Sequence, residues 1–121
     1  MYRRDTGILG EKLAQDLLKK RGYRIVETNY RCQRGEIDIV AKHRDFLVFI
    51  EVRSKKSLEF GTPEESITRG KQRRIKAAAF HYLQAHEKLA SQWRIDVIAM
   101  ELDHEGGLRR SEIIENAVGE E

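Results

Sequence analysis

Cysteine, proline and long apolar runs are all scarce in this chain of 121 residues. The one cysteine, Cys32, excludes an intrachain disulfide framework and suits a reducing compartment. No histidine lies close to it in sequence, so Cys32 reads as a small, spare hydrophobe and not as a nucleophile. The four histidines, His43, His81, His86 and His104, never stand at metal-ligand spacing. His81 and His86 would lie on different faces of a helix, and no zinc site is read. No apolar run approaches the length of a membrane span, and "MYRRDTGIL" lacks the apolar stretch of a signal peptide. The cytoplasm, and no membrane partner, is therefore the expectation. Pro63 is the only proline. There is no internal repeat, low-complexity segment or linker, so residues 1–121 are expected to form a single domain.

Charge is plentiful. Charged residues make up 36% of the chain and hydrophobic ones 40%, with a formal net charge of +3. The periodicities give an element order. Leu9, Leu13, Ala14, Leu17 and Leu18 recur at the helical period, with Asp5 or Thr6 as cap and Gly22 as stop. Gly10 is costly inside that helix and is expected to let another backbone come close. Tyr23 to Thr28 reads as a strand and "CQRG" as a turn. "EIDIVAKH" alternates as a second strand, Arg44-Asp45 is a hairpin turn, and "FLVFIEVRS" is a third strand. Thr62 and Pro63 are placed to open a helix running from Glu64 to about Lys88, with Ile67, Ile75, Ala78, Ala79, Tyr82 and Leu83 on its buried side. "WRIDVIAMEL" is a fourth strand, "DHEGG" a turn and "LRRSEIIENAV" a short final strand with a tail. The order α-β-β-β-α-β-(β) predicts an α/β fold with a mixed sheet and helices on its faces.

The carboxylates stand out. Alternate strand residues share a face. Glu36 and Asp38 should then point one way, and Ile37 and Ile39 the other. Glu51, Arg53 and Lys55 share a face of the third strand. A hairpin about Arg44-Asp45 sets Asp38 nearly opposite Glu51, and like charges so placed destabilise a sheet. A divalent cation or a basic side chain must compensate. The plain alternative is that Asp38 pairs with Arg53 and Glu36 caps the turn, since such ion pairs are common and functionally silent.

Basic residues cluster too. "RGKQRRIK" carries five positive charges, Arg69, Lys71, Arg73, Arg74 and Lys76, and no negative one. "KKRGYR" adds four and "RSKK" three. Such clusters are the electrostatic footprint of phosphate binding, although a solvated helix face has the same composition.

Together these residues carry a resemblance. "GEIDIV" followed by "FIEVRSKK" resembles the D…E-x-K core of the restriction-endonuclease-like PD-(D/E)XK superfamily. "GEKLAQDLLKKRGYRI", "NYRCQRGEIDIVA", "VFIEVRSKKSLEFGTPEESITRGKQRRI" and "RIDVIAM" are similar to the small bacterial YraN-type family, itself similar to Holliday junction resolvases. The likeness runs from about Gly10 to Met100. It implies a three-layer α/β restriction-endonuclease-like fold and metal-assisted phosphodiester hydrolysis. By resemblance, Asp38 and Glu51 hold Mg²⁺ or Mn²⁺. Glu11 approaches from the first helix, and Gln72 matches a glutamine on the helix after the core. Arg53 stands where the superfamily usually has lysine. Arginine stays protonated and cannot be a general base. Lys55, on the same strand face, or Lys71, from the helix, could take the lysine's place.

Three functions follow as expectations: a Mg²⁺-dependent endodeoxyribonuclease acting on branched or structured DNA, a non-catalytic nucleic-acid-binding protein retaining the fold, or an interaction protein with an acidic partner. A pure binding surface does not need Asp38 and Glu51 together. A homodimer is expected by analogy with the resolvases.

Overall fold

The Phe46–Ile50 run lies at the centre of the sheet in the computed structural model, which describes residues 3–57, 59, 61–86 and 92–118. In chain order the elements are α1 (Arg3–Lys20), β1 (Arg24–Cys32), β2 (Gly35–His43) and β3 (Phe46–Lys55). There follow a 3-10 turn (Glu64–Ser66), α2 (Arg69–Ala85), β4 (Gln92–Leu102) and β5 (Leu108–Ile114). The five strands form one sheet in the order β1-β2-β3-β4-β5. The β3–β4 pair is parallel and the other neighbours are antiparallel. A parallel neighbour needs a crossover, and α2 supplies it. This is the expected α/β architecture, with a mixed central sheet between helices.

Each face has its own core. Leu47 and Phe49 of β3 pack with Ile75, Ala78, Ala79 and Tyr82 of α2. Val48 and Ile50, the alternate residues, pack with Ala14 and Leu18 of α1. A fully buried side chain of this size contributes roughly 1.5–3 kcal/mol. No helix among the described residues is long and apolar enough to cross a membrane.

Several boundaries differ from expectation. α1 begins at Arg3, ahead of Asp5 and Thr6, so neither stands at its N-cap. Gly10 meets a side chain and not a backbone: a Cβ added there would lie 2.5 Å from Ser54 Oγ of β3. Gly22 does end α1, at φ +86°, and the Tyr23 N–H closes the turn on the Leu18 carbonyl at 2.9 Å. β1 runs on to Cys32, beyond the expected Thr28.

The helix expected from Glu64 is divided. Thr62 and Glu65 do bond reciprocally, but this opens only the 3-10 turn. Ile67 is extended, and Thr68 is the true N-cap of α2, accepting from the Lys71 N–H at 3.2 Å. The turn is pulled onto the sheet by two side-chain ties. Arg110 of β5 binds Glu64 at 2.7 Å, and Arg53 Nε donates to Ser66 Oγ at 2.8 Å. The break leaves Ile67 outside the helix. The expected end near Lys88 lies outside the described residues.

Candidate active site

β2 and β3 part company at Asp38. Their ladder runs from His43↔Phe46 to Ile39↔Ile50 and stops there. The next position would set Asp38 against Glu51, as the hairpin reading expected. The Val52 N–H donates instead to Asp38 Oδ2, at 2.8 Å. A side chain has replaced the backbone ladder, and the alternation of β2 breaks with it. Ile37 joins the α2 core, whereas Ile39 joins the α1 core. The expectation that they share a face is thus corrected. Gly35 also turns toward α2, where an added Cβ would lie 2.5 Å from the Arg74 carbonyl oxygen. On β1, Asn29 sits in the left-handed region at φ 55° beside this irregularity. Its amide donates to Glu11 Oε1 at 3.0 Å, which fixes the α1 carboxylate at the same end of the sheet.

Four acidic side chains, Glu11, Glu36, Asp38 and Glu51, therefore bear on one another. Burial pushes the Asp38 carboxyl up to about 6, the Val52 N–H offsets part of this, and the charges of Glu11 and Glu36 raise it further. Burial, and then the charge of Asp38, push Glu51 up to about 7. Arg53 does not cancel the effect. Its Nη1 lies 3.6 Å from Glu51 Oε1 while its Nε is given to Ser66. The plain Asp38–Arg53 ion pair does not form among the described residues, and Glu36 pairs with Arg31 across the β1–β2 hairpin.

No three His, Cys, Asp or Glu side chains among the described residues converge as a metal-ligand group. Mg²⁺ and Mn²⁺ sites of the nuclease type need only one or two carboxylates, with water and phosphate oxygens filling the shell. Two partly buried carboxylates whose charges repel each other fit that chemistry, because a cation would relieve the repulsion.

Cations line the space in front of them. A cleft of about 630 Å³ lies between the β1–β2 turn and the start of α2. Arg31, Arg34, Arg53, Lys71 and Arg74 face it together with Glu51 and Glu36. The division of α2 explains part of this. With Thr68 as N-cap, Arg69 and Lys71 fall in the first turn, and no acidic residue accompanies them. Positive charge there opposes the helix dipole and is offset if an anion binds.

The expected site residues sort into two groups. Asp38, Glu51, Glu11, Arg53, Lys71 and Arg74 are brought to this end of the sheet. Gln72 is not: it faces the opposite flank, lining a small hollow with Glu64, Val97 and Ile114. Lys55 lies farther along, beside Lys56, Glu101 and Arg109. Arg73 and Lys76 line a second groove on α2, and Arg69 lines neither. Sequence reasoning missed Arg31, Arg34 and Ser66. Arg31 precedes the "CQRG" turn and Arg34 lies within it, just ahead of the acidic motif, a signal that was available; Ser66 gave none.

A second polar cluster was also missed. Asp96 of β4 is wholly buried. It accepts from the Tyr23 hydroxyl at 3.0 Å, Arg94 Nε at 3.0 Å and the Asn116 N–H at 2.9 Å. Arg94 also donates to His43 Nδ1 at 2.7 Å, and the His43 ring stacks on Tyr23. Every member is partnered, and the cluster lies away from the cleft.

Comparison with known proteins adds the family. The model of "Uncharacterised protein family UPF0102" matches residues 10–100. A UPF0102 protein of Dehalococcoides mccartyi is 45% identical over 119 residues, covering 98% of this chain and 97% of its own. One from Moorella thermoacetica is 44% identical over 117 residues, covering 97% and 98%. One from Renibacterium salmoninarum is 47% identical over 96 residues, covering 79% and 81%.

Proposed function

The chain belongs to the uncharacterised protein family UPF0102, and on that premise we propose that it is a metal-dependent endonuclease that hydrolyses phosphodiester bonds in structured or branched DNA. The observation that carries the reading is the under-compensated Asp38–Glu51 pair, whose Glu51 lines a cation-rich cleft. A stability-driven sequence would separate or pair these charges. Keeping them makes sense where a cation and a phosphodiester meet.

Asp38 and Glu51 would hold Mg²⁺ or Mn²⁺, which when bound polarises a phosphoryl oxygen and acidifies its water. The chain's own groups do the rest. The Val52 N–H fixes one Asp38 oxygen and leaves the other for ligation. Glu11, oriented by Asn29, adds negative charge beside Asp38. Arg53, held by Ser66, presents a permanent positive charge to the developing phosphorane, which is electrostatic stabilisation and not proton abstraction. Lys71, Arg74, Arg31 and Arg34 bind the flanking phosphates. A homodimer would match a two-fold-symmetric junction.

Labelled duplex, single-stranded, flap and four-way-junction DNAs would be incubated with Mg²⁺ or Mn²⁺ and the protein, or its Asp38→Ala/Glu51→Ala variant. The expected result is metal-dependent cleavage that the variant loses by at least about 100-fold. Cleavage by neither protein, with binding by both, would sink the enzyme. It would leave the second reading, a nucleic-acid-binding protein retaining the fold, which the arginine at position 53 favours.

A further inference from the structure

Beside the cleft, on the outer flank of α2, lies a second groove of about 490 Å³. Arg73 and Lys76 line it from the helix and Arg34 from the β1–β2 turn. Arg34 lines the carboxylate cleft as well, so the two are adjacent. Phe80 stands among these cations. It is 54% exposed, more than any other large hydrophobic side chain described.

An exposed aromatic ring in a basic groove offers a face on which a base can stack. Its support is rigid. The ring lies edge-on against Trp93, centroids 5.3 Å apart. Trp93 packs in the same manner on Phe49, which is wholly buried. His81, the residue after Phe80, also lines the groove and is tied to Tyr30 by a hydrogen bond. Gln84 also lines the groove, with an amide that can both donate and accept. None of the ion pairs among the described residues engages Arg34 or Arg73.

Resting on the nucleic-acid reading of the cleft, we propose that this groove binds single-stranded DNA, with an unpaired base stacked on Phe80 and its phosphates on Arg34 and Arg73. A duplex would satisfy the arginines but keeps its base faces hidden in its own stack. Only an unpaired strand offers phosphates to the cations and a π-face to the ring at once. The strand would leave the carboxylate cleft past Arg34. The substrate class is accordingly a junction with a single-stranded arm, such as a flap or a splayed fork.

The test is binding without cleavage. Fluorescence anisotropy in EDTA would compare wild type, Phe80→Ala and Phe80→Trp on a single strand of about 12 nucleotides. The same measurement would use a strand of abasic sugars, and RNA of the same sequence. Circular dichroism would check that each variant folds. Phe80→Ala is expected to weaken single-strand binding about tenfold, Phe80→Trp to keep it, and the difference to disappear on the abasic strand. Equal affinities for wild type and Phe80→Ala on the normal strand overturn the proposal. So does a loss that persists on the abasic strand, a tighter hold on RNA by tenfold or more, or a change of oligomeric state in place of DNA binding. Because no metal is present, a protein that never cleaves DNA can still pass this test, and one that cleaves it can still fail.

Discussion

Asp38 and Asp96 are aspartates on the same sheet, both withdrawn from water, and they are treated in opposite ways. Asp96 receives a hydroxyl, a guanidinium and a backbone N–H, and its neighbours are partnered in turn. Asp38 receives one backbone N–H and faces further negative charge from Glu11 and Glu36. Its neighbour Glu51 is in the same position. Burying a carboxylate costs free energy, which paired groups recover and like-charged groups increase. The Asp96 cluster joins the end of α1, the β2–β3 turn and the C-terminal segment, which is what a structural network should do. At the Asp38 end Arg53 and Lys71 offset only part of the negative charge.

The largest effect should come from breaking the satisfied cluster. Asp96→Ala takes the buried carboxylate from Arg94, whose side chain is only 10% exposed, and the acceptor from the Tyr23 hydroxyl. A loss of about 3–5 kcal/mol is expected in urea unfolding, in line with other broken buried pairs. Asp96→Asn, which keeps an acceptor, should lose less. A loss below about 1 kcal/mol for Asp96→Ala would show that the cluster is not structural, and the contrast with Asp38 would fail.

How far was this contrast legible in the sequence? The hairpin from Glu36 to Glu51 was, because its apolar run, turn and alternation agree with one another. The approach of Asp38 to Glu51 followed from that register. The break at Asp38 did not, because "EIDI" keeps a two-residue period straight through it. Only the capture of the Val52 N–H by a side chain disturbs it. The division of the second helix was hidden by a genuine capping pair, Thr62 with Glu65. Tertiary ties from Arg53 and Arg110 limit that pair to one turn. Gln72 follows from the same geometry. Consecutive helical residues point about 100° apart, so once Lys71 faces the cleft Gln72 turns away from it. Asp96 carries no local signal. Its partners lie at positions 23, 94 and 116, brought together only by the sheet.

A smaller effect should come from the carboxylate pair, with the opposite sign. The folded protein holds protons at Asp38 and Glu51 more strongly than the unfolded chain, up to about 6 and about 7 against ordinary values of 3.8 and 4.5. Stability from this source is fully present below about pH 4 and is lost as pH rises through 6 and 7. Asp38→Asn/Glu51→Gln should therefore stabilise the protein at pH 8 in EDTA, by on the order of 2 kcal/mol. The gain should shrink toward zero near pH 4. Taking the difference from wild type cancels Glu64, Glu65 and Asp103, whose carboxyls are held below the usual range. A variant less stable than wild type at pH 8 would mean the pair is compensated after all.

The smallest effect asks whether a cation completes the pair. A metal that binds only the folded protein raises its stability by RT ln(1 + [M]/Kd), about 1.4 kcal/mol at ten times the dissociation constant. For a chain of this length the melting temperature should rise by roughly 5 °C. Wild type should show that rise with Mg²⁺ at pH 8, and the Asp38→Asn/Glu51→Gln variant should not. Mg²⁺ bound at the carboxylates displaces protons, so the rise should fade as pH falls through 7 and 6. A rise shared by both proteins would place the ion elsewhere. No rise in either would leave two repelling carboxylates whose cost nothing but a substrate-borne metal could offset. The cleavage assay would then have to be run with metal and DNA added together before the pair could be assigned any chemistry.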